Sequence, residues 1–199
     1  ELLGDPDTDI ASAYMVDPPY ETFERHENLW LEAISSVVLS SQEHTDFGLM
    51  THNAPRLTEW LYGRIAAKEA VRRYLRDNYQ ARWSNADVDI YKDESGKPKA
   101  TGEWKDSLTV KLDIAIAHTA RFIIAIAAAN AKVGVDVEST QRDLSDEFAA
   151  GAFTDAERDL AASASQSSQA LIRFWCAKES VSKALGTGLR YSPKDMNVT

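Results

Sequence analysis

The sequence predicts an α+β fold with antiparallel strands, and three observations carry that prediction. Leu108, Val110, Leu112, Ile114 and Ile116 alternate with polar or small residues as far as Ala117, the period of a strand with one buried face. A second apolar run, Arg121 to Ala128, follows after a tight connection of four residues around His118 and Thr119, which suits antiparallel neighbours. Helical spacing marks the segments before these strands, and a further strand and helix come after them.

In chain order, residues 1–26 are polar and turn-rich, with Pro6, Pro18 and Pro19, and read as a linker or a strap over the surface. Leu29, Trp30, Ala33, Ile34, Val37 and Val38 recur at helical spacing and predict a helix near 27–43. Leu57, Leu61, Val71 and Leu75 predict a second helix near 56–77, whose core-facing row is interrupted by the cations Arg64 and Lys68. Those two charges are therefore expected to line a cleft. Val88 to Tyr91 reads as a strand and Asp93 to Pro98 as a turn. After the two apolar runs, Val133 to Glu138 predicts a third strand, and a meander is the economical arrangement because sequential strands usually neighbour one another. Thr154 with Glu157 three residues later forms a capping box that opens a helix near 155–164. Ser163 to Ser168 reads as a small, polar, mobile segment, and the next helix, carrying Trp175, is stopped by Gly186 and Gly188. No internal repeat is strong enough to argue from.

Charge is unevenly distributed along the 199 residues, whose formal net is −9. Residues 1–46 hold eleven acids and one Arg, so the acidity belongs to the leading segment and the remainder is nearly neutral. Arg64, Lys68, Arg72, Arg73 and Arg76 form a local basic cluster. Without interleaved aromatics it gives little ground for nucleic-acid binding, and a solvated helix face accounts for it. No apolar run is long enough to span a membrane, and no secretory signal pattern is visible. The first residue is Glu1, and the chain reads as a piece of a longer protein. The single cysteine, Cys176, excludes an internal disulfide, fits a reducing cytoplasmic compartment and reads as packing, not as a nucleophile.

Two acidic segments carry the chemistry. In Val133-Gly134-Val135-Asp136-Val137-Glu138 the period of a strand puts both carboxylates on one face. In Trp175-Cys176-Ala177-Lys178-Glu179-Ser180-Val181-Ser182-Lys183, Glu179 and Lys183 stand four apart and share a helix face. Taken singly, each also reads as an exposed surface pair. Together they set hard oxygen ligands beside ammonium groups, a combination suited to holding Mg2+ against a phosphate or pyrophosphate.

At these residues the chain resembles the 4'-phosphopantetheinyl transferases. That family carries a Gly-(Ile/Val)-Asp-(Ile/Val)-Glu strand and, some forty residues on, a Trp-x-x-Lys-Glu-(Ser/Ala)-x-x-Lys helix. Here they read Gly134 to Glu138 and Trp175 to Lys183. Gly96-Lys97-Pro98, Ile116-Ala117-His118-Thr119 and Phe153 to Glu157 resemble further family segments, in the same order. The resemblance covers roughly residues 56–199 and is closest to the larger, surfactin-synthetase-type members. Such members continue after the Gly-x-Gly-Leu turn with further strands, whereas this sequence ends at Thr199.

The resemblance implies a fold of two similar α+β halves, here 47–128 and 129–199 behind an acidic leader of 1–46. It implies coenzyme A as co-substrate, an acyl carrier protein as the acceptor through a serine hydroxyl, and Mg2+ (or Mn2+) held by Asp136, Glu138 and Glu179. Lys178 and Lys183 are expected to bind pyrophosphate, and Glu179 to accept the serine proton. Arg64, Lys97, His118 and Thr119 match positions near the 3'-phosphate of coenzyme A, Lys68 lies on a helix, Gly63 to Ala70, that the resemblance implies helps hold coenzyme A, and Trp175 is expected to anchor its helix in the core. A monomer is expected, without nucleic-acid or membrane partners. One setting that fits is a transferase built into an iterative enediyne-type polyketide synthase and acting on that protein's own carrier domain. A Mg2+-dependent phosphohydrolase, a carrier-docking module without catalysis and a nucleic-acid-binding module stand as the alternatives.

Overall fold

A computed structural model describes residues 11–25, 29–50, 54–186 and 192–198. Its long helix α4 (Ala54–Tyr79) lies across a three-stranded antiparallel sheet in the order β1 (Ser12–Val16), β5 (Ile123–Ala129), β4 (Leu112–His118). The sequence dictates this packing simply: Ala66, Ala67 and Ala70 let the helix approach, and Leu61, Val71, Tyr74 and Leu75 fill the space against Ile114, Ile123, Ala125 and Ala127. β4 and β5 form the expected hairpin, with His118 opposite Ile123 and Leu112 opposite Ala129. The predicted turn at Asp93–Pro98 likewise joins a two-stranded hairpin, β2 (Asp89–Lys92) and β3 (Pro98–Thr101), which lies beside β4.

Two expectations from the sequence are corrected by this sheet. The stretch read as a linker or strap supplies β1 and the short helix α1 (Tyr20–Arg25). In β1, Tyr14 and Val16 pack toward the core while Met15 faces outward. The expected meander is absent because β1 takes the second edge of β5, with Val16 opposite Ile123. Residues 132–139 consequently pair with no strand. They are held to the sheet by the Val133 N–H, which donates to Asp113 Oδ2 at 2.9 Å, and by the Val133 side chain, which is buried in the main core.

The helix predicted over 27–43 is interrupted. Its start falls partly outside the described residues, and the remainder divides into α2 (Leu29–Val38) and α3 (Ser41–Leu49). Ser40 caps α3: its hydroxyl accepts the Glu43 N–H, and Glu43 accepts the Ser40 N–H. A capped helix start satisfies orphan donors that a continuous helix would not possess, so the chain turns there.

The C-terminal part carries α6 (Asp146–Ala152), α7 (Asp155–Ala162) and α8 (Ser167–Leu185), preceded in the chain by the one-turn α5 (Trp104–Ser107). The Thr154–Glu157 capping box opens α7 as expected. α8 already begins at Ser167, within the segment read as mobile. Gly186 ends it at φ +70°, a left-handed conformation that glycine adopts at little cost; Gly188 lies outside the described residues. A small second core holds this part together, built on Phe153 and Trp175, with the Phe148 ring edge-on to Trp175 at 4.8 Å. Trp175 is thus the core anchor the sequence predicts. Among the described residues no helix is long and apolar enough to cross a membrane.

Candidate active site

A cleft of about 570 Å³ opens where the first half of α4, the β2–β3 turn, β4 and the end of α8 meet. Arg64, Lys97, His118 and Lys183 all line it, although they are spread over about 120 residues of sequence. Arg64 lies flat on Trp60, its Cζ 3.2 Å from the ring centroid, and its Nε is 3.7 Å from Glu43 Oε1. Burial pushes its pKa down to about 10 against the pull of Glu43 and Asp46. That Nε is buried beside Glu43 without a hydrogen bond among the described residues, while Arg64 remains part of the cleft wall. Trp60 was not foreseen; its place one helical turn before Arg64 was the available signal. His118 sits exposed at the end of β4.

Lys97 joins the walls of the cleft. Its ammonium donates to Asp113 Oδ2 at 2.6 Å and to the Ala184 carbonyl at 3.0 Å, so the hairpin is tied to the last turn of α8. Thr119 does not line the cleft. Its hydroxyl accepts the N–H groups of Arg121 and Phe122 and closes the β4–β5 turn.

Beneath the cleft, residues 133–138 press against α8. A Cβ on Gly134 would lie 1.8 Å from the Ser180 carbonyl oxygen, so only glycine permits this approach. It brings Asp136 to Lys183, whose Nζ donates to Oδ1 at 2.7 Å. The other oxygen of Asp136 and Oε1 of Glu179 are buried and have no hydrogen-bond partner among the described residues. Burial raises the Glu179 pKa, and the Asp136 charge raises it further, with Lys183 opposing. Cys176 shares this environment: burial first, then Asp136, pushes its thiol to about 12, which leaves it protonated and suits the packing role expected for it.

Asp136, Glu138 and Glu179 do not converge as a three-carboxylate set. Glu138 pairs with Arg142, one turn ahead, and no cluster of three His, Cys, Asp or Glu suited to a metal occurs among the described residues. Two buried carboxylate oxygens without donors are nonetheless a costly arrangement that a hard cation would satisfy. The donor set therefore fits Mg2+, with Asp136 and Glu179 as its core and Glu138 available once released from Arg142.

Lys178, expected to bind pyrophosphate, and Lys68, expected to help hold coenzyme A, are buried struts in this structure. Lys178 is fully buried and donates to Glu157 Oε2 at 2.8 Å, Ala152 O at 3.1 Å and Pro193 O at 2.8 Å, which uses all three of its protons. Lys68 is equally buried, with its Nζ 2.5 Å from Glu43 Oε2 and bonds to Val38 O at 2.8 Å and Asn85 O at 3.0 Å. Neither lines the cleft.

Residues 132–199 match the 4'-phosphopantetheinyl transferase superfamily. That is the enzyme class the sequence motifs resemble, and the matching stretch contains the Gly134–Glu138 and Trp175–Lys183 segments. No curated protein matches the chain. Among solved structures, the holo-ACP synthase of Plasmodium yoelii is 23% identical over 60% of this chain and 91% of its own, with a TM-score of 0.47. The Neisseria meningitidis synthase is 18% identical over 60% and 96%, also at 0.47. The Helicobacter pylori synthase, solved in complex with coenzyme A, is 20% identical over 61% and 100%, at 0.45. Likenesses this distant say nothing of what this chain binds.

Proposed function

We propose that this protein transfers the 4'-phosphopantetheine group of coenzyme A to a serine hydroxyl of an acyl carrier protein, releasing adenosine 3',5'-bisphosphate. One observation carries the reading: Lys183 lines the cationic cleft and at the same time bonds to the buried Asp136 beside Glu179. A diphosphate ester seated with its 3'-phosphate near Arg64 and His118 would bring its pyrophosphate to that junction.

The displacement forms a bond from the serine oxygen to phosphorus and breaks the bridging bond of the pyrophosphate. It calls for charge neutralisation more than covalent help. Lys183 holds the leaving phosphate as a point charge. Glu179, directly or through a metal-bound water, accepts the serine proton. Mg2+ held by Asp136 and Glu179, with Glu138 as a third ligand, would neutralise charge on the pyrophosphate oxygens when bound.

Two related halves are part of this proposal, with boundaries near 47–128 and 129–199. Support comes from a buried network that occurs twice. A capping-box glutamate, Glu43 just ahead of the first half or Glu157 within the second, holds its own N-cap N–H and a buried lysine of the long helix, Lys68 or Lys178. Each lysine also donates to the carbonyl two residues before the cap, Val38 or Ala152. Each glutamate gives its other oxygen to a backbone N–H farther along the chain, that of Ile90 or Val198. Both halves in one chain favour a monomer, and a carrier domain within the same polyketide synthase remains the proposed acceptor.

The test is intact-mass analysis of a panel of apo carrier proteins incubated with coenzyme A, with and without Mg2+. A gain of one phosphopantetheine that needs Mg2+ and disappears in Glu179→Gln is expected. Phosphate release from nucleotides with no mass gain on any carrier would point to a phosphohydrolase instead.

A further inference from the structure

The doubled network sets α4 and α8 in register, Lys68 against Lys178. Ala67-Lys68-Glu69-Ala70-Val71-Arg72-Arg73 then aligns with Ala177-Lys178-Glu179-Ser180-Val181-Ser182-Lys183. Glu69 stands where Glu179 stands, and Arg73 where Lys183 does. The partners also occupy matching places: Lys183 bonds to Asp136 in the extended segment beside α8, while the Arg73 guanidinium lies 4.7 Å over the ring of Tyr14 on β1, beside α4.

That face of α4 borders a second pocket, of about 320 Å³, lined by Glu69, Arg72, Arg73, Arg76, Arg82 and Trp83. It is the counterpart of the α8 face carrying Glu179, Ser182, Lys183 and Gly186, with its chemistry changed. Tyr14 replaces the aspartate, and Glu69 is taken up by an ion pair with Arg72, so the carboxylates a divalent cation requires are missing. Four arginines and one glutamate line it, and Arg76 pairs with its neighbour Asp77 at 2.7 Å. Arg72 is fixed by the Trp83 carbonyl at 2.6 Å as well as by Glu69. Arg73 makes no direct ion pair among the described residues and only feels the charge of nearby Asp77, Arg82 has no acidic partner among them, and the buried Trp83 indole N–H has no acceptor among them.

We propose that this pocket is a second anion site, which binds a phosphate or diphosphate group without a metal ion. Guanidinium forks match phosphate oxygens bidentately, and one fork preorganised by backbone and carboxylate leaves less freedom to lose on binding. The volume lies at the small end of ligand pockets, room for a diphosphate or a compact phosphate ester but not for a ligand filling the larger cleft. An extended nucleic acid is the poorer fit, because one tryptophan offers no succession of stacking platforms. The site depends on the repeat and the arginines, whether or not the cleft performs the proposed transfer.

The experiment is calorimetric titration of the full chain with inorganic pyrophosphate at low salt in the presence of EDTA. One metal-independent site is expected, unchanged in Lys183→Ala and weakened roughly tenfold or more in the double variant Arg73→Ala/Arg82→Ala. Both arginines are exposed, so thermal melts of that variant are expected to match the unaltered protein. Absence of binding, or equal affinity in the double variant, overturns the proposal. Loss in Lys183→Ala with retention in the double variant would move the binding to the cleft. A single-stranded oligonucleotide that binds more tightly than pyrophosphate, with a steep salt slope, would make the pocket a nucleic-acid contact.

Discussion

Lys183 and Asp136 meet at 2.7 Å although forty-seven positions separate them, and the lysine is still part of the cleft wall. The pair is partly exposed, so it contributes under about 1 kcal/mol to stability. Lys183→Ala is therefore expected to melt within a few degrees of the unaltered protein while losing turnover of carrier protein by about 10²- to 10³-fold. Steady-state kinetics beside a thermal melt checks this, and normal turnover would remove Lys183 from the chemistry.

Lys178→Met should show the opposite balance. Removing the ammonium leaves Glu157 buried without its cation and strips acceptors at Ala152 and Pro193 of their donor. A loss of about 3–5 kcal/mol is expected in urea unfolding. A variant as stable as the parent but unable to bind coenzyme A would restore Lys178 to the phosphate-binding role that the motif suggests.

The same pair sets an acid limit. Burial alone would raise the Glu157 pKa, but hydrogen bonds from Lys178 and the N–H groups of Thr154 and Val198 outweigh it and hold the carboxyl below its ordinary value of 4.5. A depressed pKa means that the unfolded chain binds the proton first as pH falls. This stabilisation is thus complete above about pH 4.5 and disappears as the pH drops through the folded value. Melting temperatures measured from pH 7 downward should fall more steeply for the parent than for Glu157→Gln, and parallel curves would contradict the assignment.

Gly134→Ala tests the close approach of residues 133–138 to α8. The methyl group would collide with the Ser180 carbonyl, so the segment must move away, at about 1–3 kcal/mol, and carry Asp136 off Lys183. Lower stability together with loss of Mg2+-dependent activity is expected. Retention of both would mean that the chain finds room the structure does not show.

Much of the frame was legible in the sequence because local chemistry decides it: the Thr154–Glu157 cap, the turn at Asp93–Pro98, the Gly186 stop and the β4–β5 hairpin all depend on residues close together in the chain. β1 was not legible, since its five residues pair with Ile123–Ala127 more than a hundred positions away. Once β1 had taken that edge, the segment bearing Asp136 had no strand position left. The lysines of α8 are a different case. Glu179 and Lys183 lie within about 40° of each other around a helix, but Lys178 and Lys183 are about 140° apart, so the motif sets them on different faces and Lys178 turns to Glu157. The break at Ser40 was also present in the sequence, as a second capping box three residues ahead of Glu43.

The bond from Lys97 to the Ala184 carbonyl bears on how the molecule can be divided. The stretch from 132 onward carries the recognisable motifs, yet its own apolar centre is little more than Phe153, Trp175 and their neighbours. A core that small seldom sustains a fold alone. The end of α8 is fastened to a hairpin from the first half, and Val133 to Asp113. Expressed by itself, the motif-bearing fragment would therefore lack the surfaces that hold its carboxylates in place, and limited proteolysis within the exposed connection at 130–132 should unfold both parts together rather than release an independently folded piece.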